Sequence, residues 1–368
     1  MLQLNYIRDN KDEVIQRLAI KNFDAKEIIE KVLELDNDRR RTQNELDSLL
    51  NESNTLAKQV GDLYKQGKKA EADDLKNKSG AIKESSKKLE DSLRDIEEQQ
   101  TKLLLTVPNT PSVKVPKGKT PADNENVFQE GDFPKLPADA KPHWELAAKY
   151  DLIDFELGVK LTGAGFPVYK GKGARLQRAL INFFLDNATA AGYLEVQPPI
   201  MVNEASGYGT GQLPDKEGQM YHVGVDNLYL IPTAEVPITN IYRDVILKAE
   251  QFPIKNCGYT PCFRREAGSY GKDVRGLNRL HQFDKVEIVQ IAHPDKSYET
   301  LEQMREYVAG LMRKLELPFR ILKLCGGDMS FASALTYDFE AYSAAQEKWL
   351  EVSSVSNFET FQANRMKL

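Results

Sequence analysis

Arginine, glutamate and phenylalanine side chains are concentrated in residues 263–287, at spacings that suit phosphate and base recognition. Arg264 and Glu266 lie two residues apart, and Phe283 precedes Glu287 by four. Alternate side chains of a β-strand point to the same face, so the members of each pair would share a face. Arginine binds phosphate as a bidentate fork, and an aromatic ring stacks on a flat base. The stretch is therefore a candidate site for a polyphosphate, a base and an ammonium group, although a solvated charged hairpin would have the same composition.

Two strands joined by a loop would position these side chains. Residues with a high β-propensity run from Tyr259 to Arg264 and from Leu280 to Ile291. Glycines at positions 268, 271 and 276 interrupt the charged segment between the two runs. This pattern predicts a long β-hairpin whose middle is a loop.

The composition restricts the class of protein. A chain of 368 residues with 41% hydrophobic residues is long enough for two or three domains and a sizeable core. Its net charge of −5 argues against non-specific adhesion to nucleic acid, although a local basic face can still bind a polyanion. Cys257, Cys262 and Cys325 are too scattered for a disulfide framework or a zinc site, which favours a reducing compartment and a cytoplasmic protein. No apolar run is typical of a signal peptide or a membrane span.

Positions that step by four and three from 28 to 63 are mostly apolar, and the same stepping returns from 75 to 103. This is a heptad seam, and Gly67 lies in the break between the two runs. Polar members of the series include Arg39, Ser53, Ser79 and Ser86. We predict an antiparallel helical hairpin whose arms each reach on the order of 50 Å and project from a globular body. The hairpin could be a dimerisation or scaffold coiled coil, a surface for a phosphate backbone, or a helix pair with intramolecular ion pairs on solvated faces. The basic residues behind the second alternative are Arg39, Arg40, Arg41, Lys58, Lys65, Lys68, Lys69, Lys76, Lys78, Lys83, Lys87, Lys88 and Arg94.

The rest of the chain predicts an α+β domain that follows a linker. Residues 107–142 are rich in Pro, Asp, Gly and Lys and are expected to form a linker and docking loop. Beyond residue 143, strands that follow one another through hairpins, with helices to one side, are typical of an antiparallel sheet. Neither a Rossmann nor a Walker motif follows any predicted strand. The predicted elements are helix 173–190, strands 193–200 and 229–235, helix 298–315, and strands 319–325, 337–342 and 349–355.

The order of several short motifs resembles that of the class II aminoacyl-tRNA synthetases, and within them the bacterial-type seryl-tRNA synthetases. The resemblance covers essentially the whole chain. It implies a class II antiparallel sheet with flanking helices, preceded by an antiparallel coiled-coil arm that binds tRNA. The implied domains are an arm at 1–106, a linker at 107–142 and a catalytic domain at 143–368. The motifs are the segment from Arg175 to Pro199, Phe263-Arg-x-Glu266 through Arg279 to Glu287, Thr233-Ala-Glu235, Gly327-Asp-Met, Tyr337-Asp-Phe-Glu340 and Glu351-Val-Ser-Ser354.

The resemblance implies ATP-dependent ligation of serine to tRNA(Ser), and to tRNA(Sec) where present, through a seryl-adenylate. It also implies a homodimer formed through the segment from Arg175 to Pro199. Arg264 would hold the α-phosphate and the serine carboxylate, and Arg279 would reach the phosphates. Glu266 would contact the nucleotide. Phe283 would stack on adenine.

The same resemblance implies the remaining walls of the site. Thr233, Glu235 and Glu287 would surround the ammonium and hydroxyl groups of serine, with Glu287 counted among the catalytic residues beside Arg264 and Arg279. Glu351 and Ser354 would bind ATP through Mg²⁺. Lys272 and Arg275 would touch the acceptor end of tRNA.

The sequence departs from the family pattern at its end, because the third class II motif is not found before Leu368. The expectation is an incomplete nucleotide clamp, reduced stability and loss of activity. Two other functions stay open. A synthetase-like enzyme that loads an amino acid onto a carrier protein would usually lack the long arm, and a non-catalytic coiled-coil protein that binds nucleic acid or protein would have no use for an ATP pocket.

Overall fold

The chain divides into two units in the computed structural model, which describes residues 1–267 and 275–368. One unit comprises residues 2–19 and 23–108, and the other comprises residues 1, 20–22 and 109–368. The helices are Leu4–Asp9 (α1), Lys11–Ile20 (α2), Lys26–Lys65 (α3), Lys69–Thr106 (α4), His143–Lys149 (α5), Phe155–Leu161 (α6), Gly171–Ala190 (α7), Glu204–Thr210 (α8), Glu235–Asn240 (α9), Ser297–Lys314 (α10) and Phe361–Met366 (α11). The strands are Glu125–Glu130 (β1), Ile153–Asp154 (β2), Val168–Tyr169 (β3), Leu194–Glu195 (β4), Met201–Asn203 (β5), His222–Val223 (β6), Leu228–Leu230 (β7), Ile254–Phe263 (β8), Gln282–Ile291 (β9), Phe319–Lys323 (β10), Leu335–Ser343 (β11) and Lys348–Asn357 (β12).

The heptad spacing folds into the two long helices α3 and α4, as predicted. Every seam position from 28 to 63 and from 75 to 103 is buried or partly buried, because these residues face the opposing helix. Gly67 forms the turn with a φ of 77°, a left-handed conformation that glycine adopts without steric cost. Polar residues also enter the seam: the Nε2 of Gln100 donates to the carbonyl oxygen of Val32 at 3.2 Å.

An antiparallel four-stranded sheet, ordered β1-β10-β11-β12, forms the main core of the larger unit. Alternate residues of its strands bury one face, which includes Phe319, Phe339 and Val355. Leu301 and Met312 of the amphipathic helix α10 cover that face. The opposite face is left for polar side chains, since successive residues of a strand alternate.

A second sheet, ordered β4-β8-β9, carries the predicted hairpin. Strands β8 and β9 pair antiparallel over ten residues each, from Ile254 opposite Ile291 to Phe263 opposite Gln282. Short strands complete the unit as a β5-β7-β6 sheet and a β2-β3 pair. The α+β class with an antiparallel sheet and a helical arm is confirmed.

Several predicted boundaries were wrong for local reasons. Strand β8 ends at Phe263, so Arg264 and Glu266 lie beyond it, and Glu266 has a φ of 49°. Of the strand predicted over 193–200 only β4 forms, because Pro198 and Pro199 have no N–H to donate to a neighbouring strand. Strand β4 pairs parallel with β8.

Two further segments also differ from the prediction. The strand predicted over 229–235 stops at Leu230, and Glu235 instead begins α9. The segment 107–142, expected to be a linker and docking loop, contributes β1 to the main sheet, where Glu125 pairs with Lys323. Residues 268–274 of the loop predicted between the hairpin strands, including Gly268, Gly271 and Lys272, lie outside the described residues. No helix in residues 1–267 and 275–368 is long and apolar enough to cross a membrane.

Candidate functional site

A threonine, a lysine and a glutamate form a hydrogen-bonded group, here called the Thr233 cluster, consisting of Thr233, Lys285 and Glu287. The Oγ1 of Thr233 donates to Oε2 of Glu287 at 2.6 Å and accepts from Nζ of Lys285 at 3.0 Å. Lys285 also pairs with Glu287 at 2.8 Å. Lys285 and Glu287 are two residues apart on β9 and so share a face. The hydroxyl therefore holds both charged groups at once.

Glu235 adds a second carboxylate beside this cluster. Its backbone N–H donates to Oγ1 of Thr233 at 3.2 Å, and its Oε1 accepts from Nε2 of Gln362 at 2.6 Å. Burial and the neighbouring Glu287 raise the pKa of Glu235 from 4.5 to about 7. Gln362, Lys285 and Arg264 act in the opposite direction by stabilising the charged form. Glu235 is thus a carboxyl group that titrates near neutrality.

Arg264 and Phe283 lie together where β8 ends. The backbone N–H of Arg264 donates to the carbonyl oxygen of His281 at 3.0 Å, which extends the β8–β9 pairing by one bond. The guanidinium carbon of Arg264 stands 5.0 Å from the ring centroid of Phe283, a cation–π contact. An exposed fork for a phosphate and a flat apolar surface are therefore adjacent.

Glu266 and Arg279 form an ion pair on either side of the segment outside the described residues. The Nη1 of Arg279 donates to Oε2 of Glu266 at 2.8 Å. Both residues were predicted to contact a nucleotide, and the structure brings them together. Arg275, predicted to touch the acceptor end of tRNA, lies over the ring of Trp144 at 5.1 Å. The other residue in that prediction, Lys272, is not among the described residues.

A β-bulge places Glu351 and Ser354 on one face of β12. Glu340 pairs with Glu351 and Asp338 pairs with Ser354, while the register shifts between Phe339 and Glu340. Because Asp338 and Glu340 are two residues apart on β11, their partners must also share a face. Simple alternation would have put residues 351 and 354 on opposite faces. The extra residue in the bulge is what allows both to face the same side.

This face is acidic, and the positive charge of Arg264 affects the pKa of one of its carboxylates, Glu351. Burial, followed by the charge of Glu351, raises the pKa of Asp338 to about 7, while a hydrogen bond from Ser354 acts against the rise. The pKa of Glu351 is also raised, first by desolvation, and the charges of Arg264 and Lys285 oppose that rise. Arg264 and Lys285 therefore stabilise the charged forms of two carboxylates on different elements, Glu235 of α9 and Glu351 of β12.

Three side chains to which the sequence assigns no role belong to this arrangement. Alternation along β9 puts Lys285 on the same face as Glu287, but its residue type does not indicate a function there. Asp338 lies inside the motif from Tyr337 to Glu340 without a role of its own. Gln362 carries no pattern that connects it with Glu235, which is 127 positions away. Only the fold could reveal the last of these contacts.

Comparisons with known proteins agree along the whole chain. Residues 1–111 match a model of the seryl-tRNA synthetase N-terminal domain, and residues 221–368 match a model of the class II tRNA synthetase core domain (G, H, P, S and T). A serine–tRNA ligase from Salinibacter ruber is 49% identical over 368 residues, which cover all of this chain and 86% of that protein. One from Geobacter sulfurreducens is 45% identical, with all of this chain and 86% of that protein covered.

Solved structures agree with these sequence matches. The crystal structure of seryl-tRNA synthetase from Pyrococcus horikoshii complexed with ATP is 31% identical and superposes with a TM-score of 0.92. The match covers all of this chain and 86% of that one. The fold and the sequence are therefore similar to the same group of proteins.

Proposed function

The chain belongs to the seryl-tRNA synthetase family, the class II serine–tRNA ligases, and from this premise we propose that the Thr233 cluster and Glu235 bind serine for activation by ATP. The observation that carries the proposal is that the buried carboxyl group of Glu235 interacts electrostatically with Glu287, which bonds the Thr233 hydroxyl, and with Arg264. Glu235 and Glu287 would receive the substrate ammonium group. Their partners are already fixed by hydrogen bonds, so little reorganisation is needed on binding.

In the proposed reaction a carboxylate oxygen of serine attacks the α-phosphorus of ATP. The bond from that phosphorus to the bridging oxygen breaks, pyrophosphate leaves and seryl-adenylate remains. A ribose hydroxyl of the terminal adenosine of tRNA(Ser), or of tRNA(Sec) where present, then attacks the seryl carbonyl and AMP leaves. Such chemistry depends on alignment and on neutralising charge at phosphorus.

Arg264 is the residue best placed for that neutralisation. Its guanidinium is exposed and stands over Phe283, the proposed stacking surface for adenine. The bound ATP of the Pyrococcus horikoshii relative supports ATP as the nucleotide here. Glu266 and Arg279, held as an ion pair, are the proposed second contact to the nucleotide and its phosphates.

Glu351 and Ser354 would hold Mg²⁺ together with phosphate oxygens of ATP. In the part of the chain that the structure describes, no group of three or more His, Cys, Asp or Glu side chains is placed to bind a metal ion. Two oxygen donors on one face nevertheless suit Mg²⁺, because this ion keeps several waters and often uses few protein ligands with substrate phosphates. The ion would reduce the negative charge of the phosphates.

Serine-dependent exchange of pyrophosphate into ATP tests the activation step. The proposal predicts exchange with serine and much less with alanine, because alanine would leave buried polar partners of the serine hydroxyl without a hydrogen bond. Exchange with serine would also overturn the loss of activity expected from the sequence. Threonine serves as a second analogue that retains the hydroxyl. Equal exchange with serine and alanine, or none with either, would contradict the proposal.

One face of α4 supports tRNA binding by the arm. Lys69, Lys76, Lys83 and Lys87 are exposed, and their offsets of seven, seven and four residues return to the same side of a helix. We call them the α4 lysine stripe, and it extends over about 27 Å. Within residues 1–267 and 275–368 these lysines form no ion pair, whereas Lys65, Lys68, Lys78 and Lys88 each pair with an acidic residue three or four positions away.

Matched variants separate the two sets of lysines. Replacing Lys76, Lys83 and Lys87 with glutamine should weaken tRNA(Ser) binding and reduce the slope of log affinity against log salt by about 2 to 3. Replacing Lys65, Lys78 and Lys88 with glutamine is the control, since each of these side chains already has an acidic partner. With a tRNA(Ser) transcript whose variable arm is shortened, most of the difference in affinity between the two triple variants should disappear. If the two triple variants change tRNA(Ser) affinity and its salt dependence equally, the α4 lysine stripe contributes to solubility and not to tRNA binding.

Exposed leucines on α7 and β4 support a homodimer. Leu176 is 59% exposed, Leu180 36% and Leu194 66%, within the segment predicted to form the interface. Burying this surface against a second copy would gain hydrophobic free energy. Light scattering should give twice the chain mass for the wild type and a lower mass for Leu176→Arg. A monomeric wild type at micromolar concentration would contradict this part.

A further inference from the structure

Gln362 is a buried amide that ends against the proposed serine site. Only 6% of the residue is exposed. Its Nε2 donates to the carbonyl oxygen of Thr210 at 3.1 Å and to Oε1 of Glu235 at 2.6 Å. A carbonyl oxygen only accepts, so the amide nitrogen must face Thr210, and from that position it also donates to Glu235.

The helix that carries Gln362 is held firmly in place. Phe361 and Met366 are each only 1% exposed. The Nη1 of Arg365 donates to the carbonyl oxygens of Tyr208 at 3.0 Å and Leu213 at 3.1 Å, which ties α11 to the end of α8. Gln362 therefore presents its amide from a fixed position.

We propose that Gln362 is a positioning residue that holds the Glu235 carboxylate in the orientation that receives the serine ammonium group. This inference rests on the function proposed above. An amide suits the task because it donates a hydrogen bond without adding a positive charge that would compete with the ammonium. The charged groups that face Glu235 are Glu287 and Lys285 on β9 and Arg264 at the end of β8.

The contact also affects the proton on Glu235. A donor to a carboxylate stabilises its charged form. Removing the donor should therefore raise the pKa of Glu235 above its value of about 7. A purely structural residue would leave that pKa unchanged.

Gln362→Met tests the inference in the full chain, because methionine has a similar length but donates no hydrogen bond. Pyrophosphate exchange should show a serine KM raised roughly ten- to hundred-fold, the usual effect of losing a hydrogen bond to a charged group, with the KM for ATP unchanged. The acidic limb of the rate profile should move to higher pH. Asn364→Ala is the matched control, since Asn364 lies on the same helix and its amide donates to Met1 and Thr360.

A measurement without substrate keeps the inference separate from the proposed function. The ¹³C carboxyl resonance of Glu235, assigned with Glu235→Gln, should titrate at higher pH in Gln362→Met than in wild type and in Asn364→Ala. An unshifted titration would overturn the inference whatever the KM. A wild-type chain without serine-dependent exchange would refute the proposed function instead, while the titration still reports on Gln362.

Gln362→Glu covers the case in which the methionine variant does not fold. Glutamate has nearly the same shape as glutamine but places a second carboxyl group against Glu235. The two groups should share a proton, so one of them should titrate well above its ordinary range. Independent, unshifted titrations of the two carboxyl groups would also overturn the inference.

Discussion

Replacing Thr233 with valine would test whether one hydroxyl organises the proposed serine site. Valine keeps the shape of threonine and removes only its oxygen. That oxygen donates to Glu287, accepts from Lys285 and accepts from the backbone N–H of Glu235, at 2.6, 3.0 and 3.2 Å. The substitution therefore removes three hydrogen bonds at a position that is 6% exposed.

The expected cost follows from what remains after the change. Lys285 and Glu287 still pair with each other at 2.8 Å, so neither charge is left alone. The N–H of Glu235 loses its partner, and Glu287 loses its shortest hydrogen bond. A bond to a charged group contributes about 1.5 to 3 kcal/mol, so we expect a loss of about 2 to 3 kcal/mol in unfolding free energy. If the same amount is lost from transition-state binding, kcat/KM for serine falls about 30- to 150-fold.

Urea denaturation and serine-dependent exchange measure the two effects on the same preparations. Thr233→Ser keeps the hydroxyl and should stay close to wild type in both. Thr336→Val is the control for burial, because Thr336 is 3% exposed and its hydroxyl bonds Ser356 at 2.9 Å in the other sheet. It should lose about 1 kcal/mol of stability, the worth of a neutral hydrogen bond, without a change in serine KM. A Thr233→Val variant with wild-type kcat/KM would refute the reasoning.

Three further tests probe the charge, the phosphate contact and the arm. Native Glu235 binds its proton more tightly than the unfolded chain does, so the stability of the wild type relative to Glu235→Gln should fall by on the order of 3 kcal/mol as pH rises from 4.5 to about 7. Urea denaturation at both pH values measures this change. An equal pH dependence of the two proteins would exclude it. Arg264→Lys keeps the charge but loses the bidentate fork, so pyrophosphate exchange should slow by about ten- to hundred-fold, and a wild-type rate would remove Arg264 from its proposed role. Gly67→Ala should lower the unfolding free energy by about 1 kcal/mol, because alanine disfavours a positive φ, whereas Gly61→Ala inside α3 should raise it by about 0.5 to 1 kcal/mol. Circular dichroism during thermal unfolding compares the two variants. The opposite ranking would contradict a left-handed conformation at Gly67.

Local periodicity explains why the arm and the hairpin could be predicted from the sequence. A heptad seam depends on spacing within each helix, and every seam position from 28 to 63 and from 75 to 103 is at least partly buried. Alternation along one strand likewise predicts that Lys285 and Glu287 share a face, as they do on β9. Such patterns need no knowledge of the rest of the fold.

Features that depend on distant partners could not be predicted in this way. The bulge that turns Glu351 and Ser354 to one face arises from the register between β11 and β12. Strand β1 forms in a proline-rich segment because β10 offers it a pairing edge, not because its own sequence is typical of a strand. Residue types alone also gave no reason to connect Gln362 with Glu235.

The balance of charge around Glu235 links these distant contacts to the proposed chemistry. Among the described residues, Lys285 is the lysine that Glu235 and Glu287 share as a neighbour, and burial holds a proton on Glu235 up to about pH 7. A substrate ammonium would favour the charged form of Glu235 and so displace that proton. Proton and ammonium then compete for one carboxylate, and serine affinity should rise as pH increases through 7. Gln362, which donates a hydrogen bond without a charge, favours the ammonium in this competition and not the proton.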